Sequence, residues 1–564
     1  MRREDREKRP SALSFRLTLP RPMQPLDYIV LASYLVGVAA FGIFAGGKQS
    51  SANDYFLGDR NLPWWAVSFS VIATETSTLT VISIPGVAYF GALTFLQLTF
   101  GYLLGRIAVS LWFLPKYFNG EQATAYQYLE ERFGSKMRVT ASLTFIVTRL
   151  LADGIRLFAT AIPVKVIADA VGLELSLVQI IAVTGLVTIV YTYIGGLKAV
   201  VWMDVVQMFI YIGGAVAALY LLWTKAHAGW FAEAAELGKT AVFDWDGVGP
   251  NDPLAGTLTA IMTSPYAFIT AIFGGAVLSM ASHGTDQIIV QRLLGCRNLA
   301  DARKAIISSG VAVIAQFALF LFVGLALWGY YDGIVGVREG LNTAQELARI
   351  GVTSADQIFP RFIRDGLPAG LSGLMLAGIL AAAMSTVAGS LNSLASSTML
   401  DLYSRLGGKP LDDRQALRAS RIATLVWGIV FIGFASLFRD QKNPVVELGL
   451  SIASFTYGGL LGVYLLGMLS RKANERAAIV AFITTIVVMT FVIFGVWYSV
   501  KEGHWLFQFR PSGETKAALG LRGLAYPWYV VIGSSLTIVV GSLLGSRLQP
   551  SAPSGDDLNT NPLV

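Results

Sequence analysis

Polar positions in this chain are sparse and grouped, and between them apolar stretches of about twenty residues recur from residue 26 to residue 545. Wound as α-helix, such a stretch matches the hydrocarbon thickness of a bilayer. The pattern predicts thirteen spans, near 26–46, 64–90, 93–115, 139–165, 176–194, 199–223, 262–290, 305–330, 369–400, 418–438, 446–470, 476–498 and 526–545. Two of them are interrupted. In VSFSVIATETSTLTVISIPG, polar residues cluster at 74–78, with Pro85 and Gly86 beyond. In FGGAVLSMASHGTDQIIVQRLLG, the cluster SMASHGTDQ fills 279–287. Either interruption alone reads as a packing kink. Standing five spans apart, at corresponding places in two blocks of helices, they predict an inverted-repeat carrier whose half-helices meet at a midplane site.

One further stretch departs from a plain apolar span. Ala377 to Tyr403, AGILAAAMSTVAGSLNSLASSTMLDLY, carries Ser385, Thr386, Ser390, Asn392, Ser393, Ser396 and Ser397. At the helical period, 385, 389, 392/393 and 396 share one face. Small residues let helices approach closely, and hydroxyl oxygens suit a hard cation. Periodicity leaves two readings open: tight packing with hydroxyls bonded back to their own helix, or one wall of a sodium site.

Composition supports the membrane reading. Of 564 residues 54% are hydrophobic and 14% charged, with mean hydropathy +0.58, where a soluble protein carries roughly 25% charged residues. The chain is therefore expected to be an all-α polytopic membrane protein. The single cysteine, Cys296, excludes an internal disulfide framework and a multi-cysteine metal site. The net charge of +7 is read as basic cytoplasmic loops, with no nucleic-acid partner. Lys and Arg follow spans 3, 7, 9 and 11, whereas the 224–258 loop carries Glu233, Glu236, Asp244, Asp246 and Asp252. The positive-inside rule then puts the N-terminus outside and the C-terminus in the cytoplasm, in a plasma membrane.

Residues 1–22 conflict with that orientation, since they carry Arg2, Arg3, Arg6, Lys8, Arg9, Arg16 and Arg21. The expectation is that translation starts at Met23. No cleavable signal peptide is read at the N-terminus, and the tail after Arg547 reads as disordered. The chain lacks HExxH, a DDxxD pair and a His cluster, so no enzyme is expected.

Five segments carry a resemblance: LGDRNLPWWAVSFSVIATETS (57–77), GGLKAVVWMDVVQ (195–207), DQIIVQRLLGCRN (286–298), the 377–403 stretch and LLGMLSRKA (465–473). In these the chain resembles the sodium:solute symporter family, from about residue 25 to 545. The resemblance implies a LeuT-like 5+5 inverted repeat, preceded by one helix and followed by two, which agrees with the thirteen spans. It divides the chain into a polar tail (1–24), a leading helix (25–50), core repeat 1 (60–225), an extracellular loop (226–260), core repeat 2 (261–472), two C-terminal helices (473–546) and a tail (547–564).

The implied function is sodium-coupled import of a small polar organic solute by alternating access. No cofactor beyond Na+ and no obligate protein partner are expected. The resemblance implies sodium ligands at the carbonyls of Ala73, Thr76 and Ala382 and the hydroxyls of Ser385 and Thr386. Glu75 lies between two of these and is expected to tune sodium affinity or to pair with Arg149 or Arg156. Asp204 matches an acid near the inner sodium exit. Family members with a second sodium carry serines where this chain has Ala388 and Gly389, so one sodium per solute is expected and Asp204 becomes an exit-path or packing residue. Met203 replaces the usual Thr.

Expected solute contacts are Thr74, Thr80, Gln97, Arg156, Ser279, Ser282, His283 and Asp286. Val313 and Leu450 stand where sugar carriers use Lys and Gln, which argues against a galactose or glucose carrier. Arg156 is read either as facing a substrate carboxylate or as paired with Asp153 or Glu75. His283 either bonds the unwound backbone or carries a proton. Proton coupling, a channel and a non-transporting membrane sensor remain as alternatives.

Overall fold

The computed structural model describes residues 24–547 apart from 121, 171–173, 250, 404 and 439–444. The basic segment 1–22, the expected start at Met23 and the tail 548–564 lie outside the described residues.

The chain is a stack of long helices. They are α1 (Pro25–Gly46), α2 (Trp64–Glu75), α3 (Thr78–Phe90), α4 (Leu96–Ala108), α5 (Ser135–Ala170), α6 (Leu177–Lys225), α7 (Gly275–Gly284), α8 (Gln287–Leu294), α9 (Leu299–Tyr330), α10 (Leu371–Ser396), α11 (Asp413–Ser436), α12 (Val445–Leu469), α13 (Glu475–Gly495) and α14 (Tyr526–Arg547). Helical chain falls in each of the thirteen expected ranges. By length and apolarity alone, eight helices among the described residues qualify as spans, or nine when the bent pair is taken together. Part of the shortfall has a cause: half-helices are each too short to pass a length test, α6 joins two expected spans, and α5 carries Arg149, Asp153 and Arg156 in mid-run.

The first interrupted span is α2 and α3, bent by 64°. The second is α7 and α8, separated at Thr285 and Asp286, where Asp286 caps α8 by accepting from Ile288 N–H at 2.9 Å. The 49-residue α6 turns at Gly196, which has φ +55°, and a Cβ there would lie 2.7 Å from the Tyr55 ring. Only glycine meets both conditions.

Burial ranks the helices. In α10, 89% of the most apolar window is buried, against 22% in α1 and 28% in α11, so α10 is central and the other two face lipid. Asp27 of α1 nevertheless anchors α10, accepting from the N–H groups of Gly370 (2.7 Å) and Gly373 (2.9 Å) at its otherwise unsatisfied N-terminus.

Two departures concern the connecting segments. The span expected at 476–498 stops at Gly495, and Val496–Ser499 is a strand. This strand, β1, pairs antiparallel with β2 (His504–Phe507) and β3 (Leu521–Gly523) in the order β2-β1-β3. The all-α expectation misses it because VWYS continues the apolar run, while β-branched and aromatic residues suit a pleated strand equally well. The acidic loop at 226–260 also contains a short helix, Trp230–Glu236.

Candidate functional site

The first site grows from a failed backbone ladder. Thr76 N–H still donates to Ile72 O at 2.9 Å, but Ser77 N–H turns to Glu75 O (3.1 Å) and Thr80 N–H to Ser77 O (2.9 Å). The amides four residues beyond Ala73 and Thr76 are thereby diverted from those two carbonyls. Carbonyls released in this way are the oxygens with which broken membrane helices hold ions.

Opposite the break stands α10. Thr78 of α3 donates its hydroxyl to Ile379 O at 3.1 Å, fixing the bend against it. Ser385 Oγ donates to Asp204 Oδ1 at 2.6 Å, and Ser70 Oγ of α2 donates to Asp204 Oδ2 at 2.5 Å. Thr386 Oγ1 bonds back to Ala382 O at 3.2 Å. Helices α2, α6 and α10 therefore converge on one carboxylate, and Asp204 sits directly on Ser385.

Its countercharge is Arg292 of α8. The guanidinium lies 3.2 Å from Asp204 Oδ2, donates through Nε to Ser70 Oγ (2.8 Å) and through Nη1 to Ile288 O (2.8 Å). Ser70, Asp204, Arg292 and Ser385 are all buried. Gly389 makes the seat for the arginine, since a Cβ there would lie 2.7 Å from Arg292 Nη2. Arg292 was not among the expected functional residues, although an arginine inside the resembling segment DQIIVQRLLG is a visible signal.

The second cluster surrounds Glu75, and here one expectation is corrected. Neither Arg149 nor Arg156 pairs with Glu75; the partner is Arg106 of α4, through Nη2 and Glu75 Oε2. Arg106 also donates Nη1–H to Ser309 Oγ of α9 at 2.8 Å. His283 Nε2 stands 3.7 Å from the same carboxylate oxygen, and its Nδ1 meets Ser282 Oγ at 2.9 Å. Residues of α2, α4, α7 and α9 thus meet at one point. Arg106 reaches it because α4 carries small residues against α7. A Cβ on Gly101 would lie 2.6 Å from Ile272 O, and one on Gly105 would lie 2.7 Å from Ser279 Cβ. The signal in the sequence is a charge directly after the Gly-x-x-x-Gly of GYLLGR, in mid-span.

The remaining candidates separate. Asp286 pairs with Arg149 and accepts from Tyr457 OH at 2.7 Å. Arg156 donates to Asp153 at 2.9 Å, and Asp153 also accepts from Ser390 Oγ at 2.5 Å. The break between α7 and α8 therefore has a charged cluster on each side, with His283 in one and Asp286 in the other. Gln97 is spent on the backbone of the outer loop, donating to Tyr266 O at 2.9 Å and accepting from Asp244 N–H at 3.3 Å. Thr74 bonds back to Ser70 O (2.7 Å), Ser279 donates to Tyr102 O (2.9 Å), and Thr80 is half-buried. Val313 is buried in α9, and the Leu450 side chain lies outside the described residues.

Comparison with known proteins places these features in a setting. The model of the family described as "Sodium:solute symporter family" matches residues 55–485. A sodium/sialic acid symporter of Proteus mirabilis is 26% identical, over 95% of this chain and 98% of its own. The sodium-coupled monocarboxylate transporter 1 of Homo sapiens is 29% identical, over 83% of this chain and 73% of its own. Among solved structures, the substrate-bound outward-open state of a Na+-coupled sialic acid symporter aligns with a TM-score of 0.74 and 25% identity, covering 93% of this chain and 98% of that one.

Proposed function

Because this chain belongs to the sodium:solute symporter family, whose members are sodium-coupled transporters and not enzymes, we propose that it imports a small polar organic solute with one sodium ion per solute. The import runs across the plasma membrane by alternating access, with the N-terminus outside and the C-terminus in the cytoplasm. The sodium ligands are the carbonyls of Ala73, Thr76 and Ala382 and the hydroxyls of Ser385 and Thr386.

The observation that carries the ion assignment is the diverted ladder at Ala73 and Thr76, facing a helix whose Ser385 donates its proton away to Asp204. A hydroxyl that donates to a carboxylate keeps its lone pairs for an ion. Charge supports the ratio of one sodium per solute. Arg292 already neutralises Asp204, and the guanidinium fills the space beside Gly389. A second cation at this carboxylate has to compete with a resident one.

The solute is proposed to carry a carboxylate. Sialic acid and monocarboxylates, the solutes named for the two relatives described above, both have one. Arg156 supports this, since its side chain is 24% exposed and its hydrogen bond to Asp153 uses Nη1 alone.

The test is uptake into proteoliposomes of labelled sialic acid, lactate, pantothenate, proline and galactose, under an inward sodium gradient or a proton gradient. Sodium-driven uptake of a carboxylate that is lost in Ser385→Ala supports the proposal. Uptake driven by protons alone, or a measured ratio of two sodium ions per solute, refutes the corresponding part.

A further inference from the structure

The cluster at Glu75 is unevenly satisfied. Arg106 gives Nη1–H to Ser309 and Nη2–H to Glu75 Oε2, while its Nε–H has no partner. In a planar guanidinium the Nε–H and one Nη2–H share an edge, so one prong of the fork is engaged and the other is open. His283 Nε2 also has no partner. Its Nδ1 meets Ser282 Oγ at 2.9 Å, so Nε2 is the ring atom left to meet a solute hydroxyl. Arg106 is fully buried and His283 is 3% exposed, whereas the Glu75 side chain is 18% exposed. An open donor and an unpartnered ring nitrogen thus stand beside a carboxylate that engages Arg106 through only one of its oxygens.

We propose that Arg106, His283 and Glu75 form a solute subsite that takes a hydroxyl group. This rests on the carrier reading above and specifies the chemistry of its solute. A carboxylate placed here faces Glu75, and an ammonium faces Arg106. An apolar group leaves the buried Arg106 Nε–H unpaired, which is the costly outcome. An alcohol oxygen accepts from Arg106 Nε–H and donates its own proton to Glu75 Oε1, satisfying both sides through one atom. The class of solute is therefore hydroxylated, as in a hydroxy acid or a sugar acid. Arg106, which the Gly101 and Gly105 packing brings to the break, is the specificity-determining residue.

The experiment measures thermal stabilisation of purified full-length protein in sodium by matched pairs: lactate with propionate, and gluconate with hexanoate. At least one polyhydroxylated or hydroxy-acid member stabilises, and its deoxy partner needs about tenfold more or greater for the same shift. Arg106→Lys keeps a cation beside Glu75 but removes the Nε donor, and the preference falls toward unity. Ser309→Ala keeps the open prong, and the preference persists. If no hydroxylated probe stabilises, or if both members of each pair act alike, the subsite is overturned. It is equally overturned if Arg106→Lys lowers the melting temperature but leaves the preference intact, because the arginine then only packs. Repeating the series in potassium separates the two readings: a hydroxyl preference that survives without sodium keeps the subsite and sinks the coupling.

Discussion

Ser385 and Asp204, on α10 and α6, share a 2.6 Å hydrogen bond in which the hydroxyl donates to a carboxylate already paired with Arg292. The proton of Ser385 is thereby committed, and its oxygen is oriented with lone pairs free. Ser385→Ala removes one proposed ion ligand and one donor to Asp204. The expected result is at least a tenfold rise in the sodium concentration giving half-maximal thermal stabilisation. The sodium-free protein loses only about 1.5–3 kcal/mol, the scale of a single hydrogen bond to a charged group. Titrating the melting temperature with sodium chloride against choline chloride checks both numbers.

Asp204 and Arg292 are each about 1% exposed and 3.2 Å apart, so removing either leaves the other as a buried unpaired charge. Asp204→Asn and Arg292→Met are each expected to cost about 3–5 kcal/mol. The double variant recovers a large part of that loss, because neither charge remains. Denaturation of all four proteins in a double-mutant cycle gives the coupling energy directly. Additive losses contradict the pairing.

Gly105 lets α4 approach α7, with Ser279 Cβ only 2.7 Å from where its own Cβ would stand. Gly105→Val forces the helices apart and carries Arg106 away from Glu75. Overpacking of this kind costs about 1–3 kcal/mol or more. Gly37, whose Cβ would meet nothing within 4 Å, is the control, and Gly37→Ala is expected to leave the melting temperature within about 1 °C of the parent. Equal shifts in the two variants contradict the close approach.

Much of this arrangement was legible in the sequence because bilayer physics writes in long strokes. Apolar length and the polar clusters at 74–78 and 279–287 located the helices and both breaks, and the face through Ser385 located the wall opposite the first. What stayed illegible was pairing. Glu75 was expected near Arg149 or Arg156, yet it meets Arg106, because helix contacts across the bundle depend on glycines on two facing surfaces. Gln97 read as a solute contact for its place in span 3, but the outer loop folds back and takes its amide. The small sheet β2-β1-β3 was hidden because its first strand extends an apolar run whose composition suits helix and strand alike.

Lys239 makes the last prediction, and it concerns the outer loop. Its ammonium donates to Tyr89 O (2.9 Å) and Gly91 O (2.8 Å), the carbonyls ending α3, and lies 5.6 Å over the Trp328 ring. A cation there complements the negative end of the outer half-helix. Burial pushes the Lys239 pKa down to about 8, against about 10.4 in an unfolded chain. Between those values the unfolded chain binds the extra proton, so this residue makes the folded state gain stability as pH rises from about 8 toward 10.4. Below pH 8 both states hold the proton and its contribution is level. Lys239→Met removes that dependence and also strands two carbonyls. The melting temperature of the parent is therefore expected to climb relative to the variant across that window, with parallel curves below it. Curves that stay parallel up to pH 10 mean that Lys239 keeps its proton, and that α3 is capped by a permanent charge and not by one the outside solution can titrate.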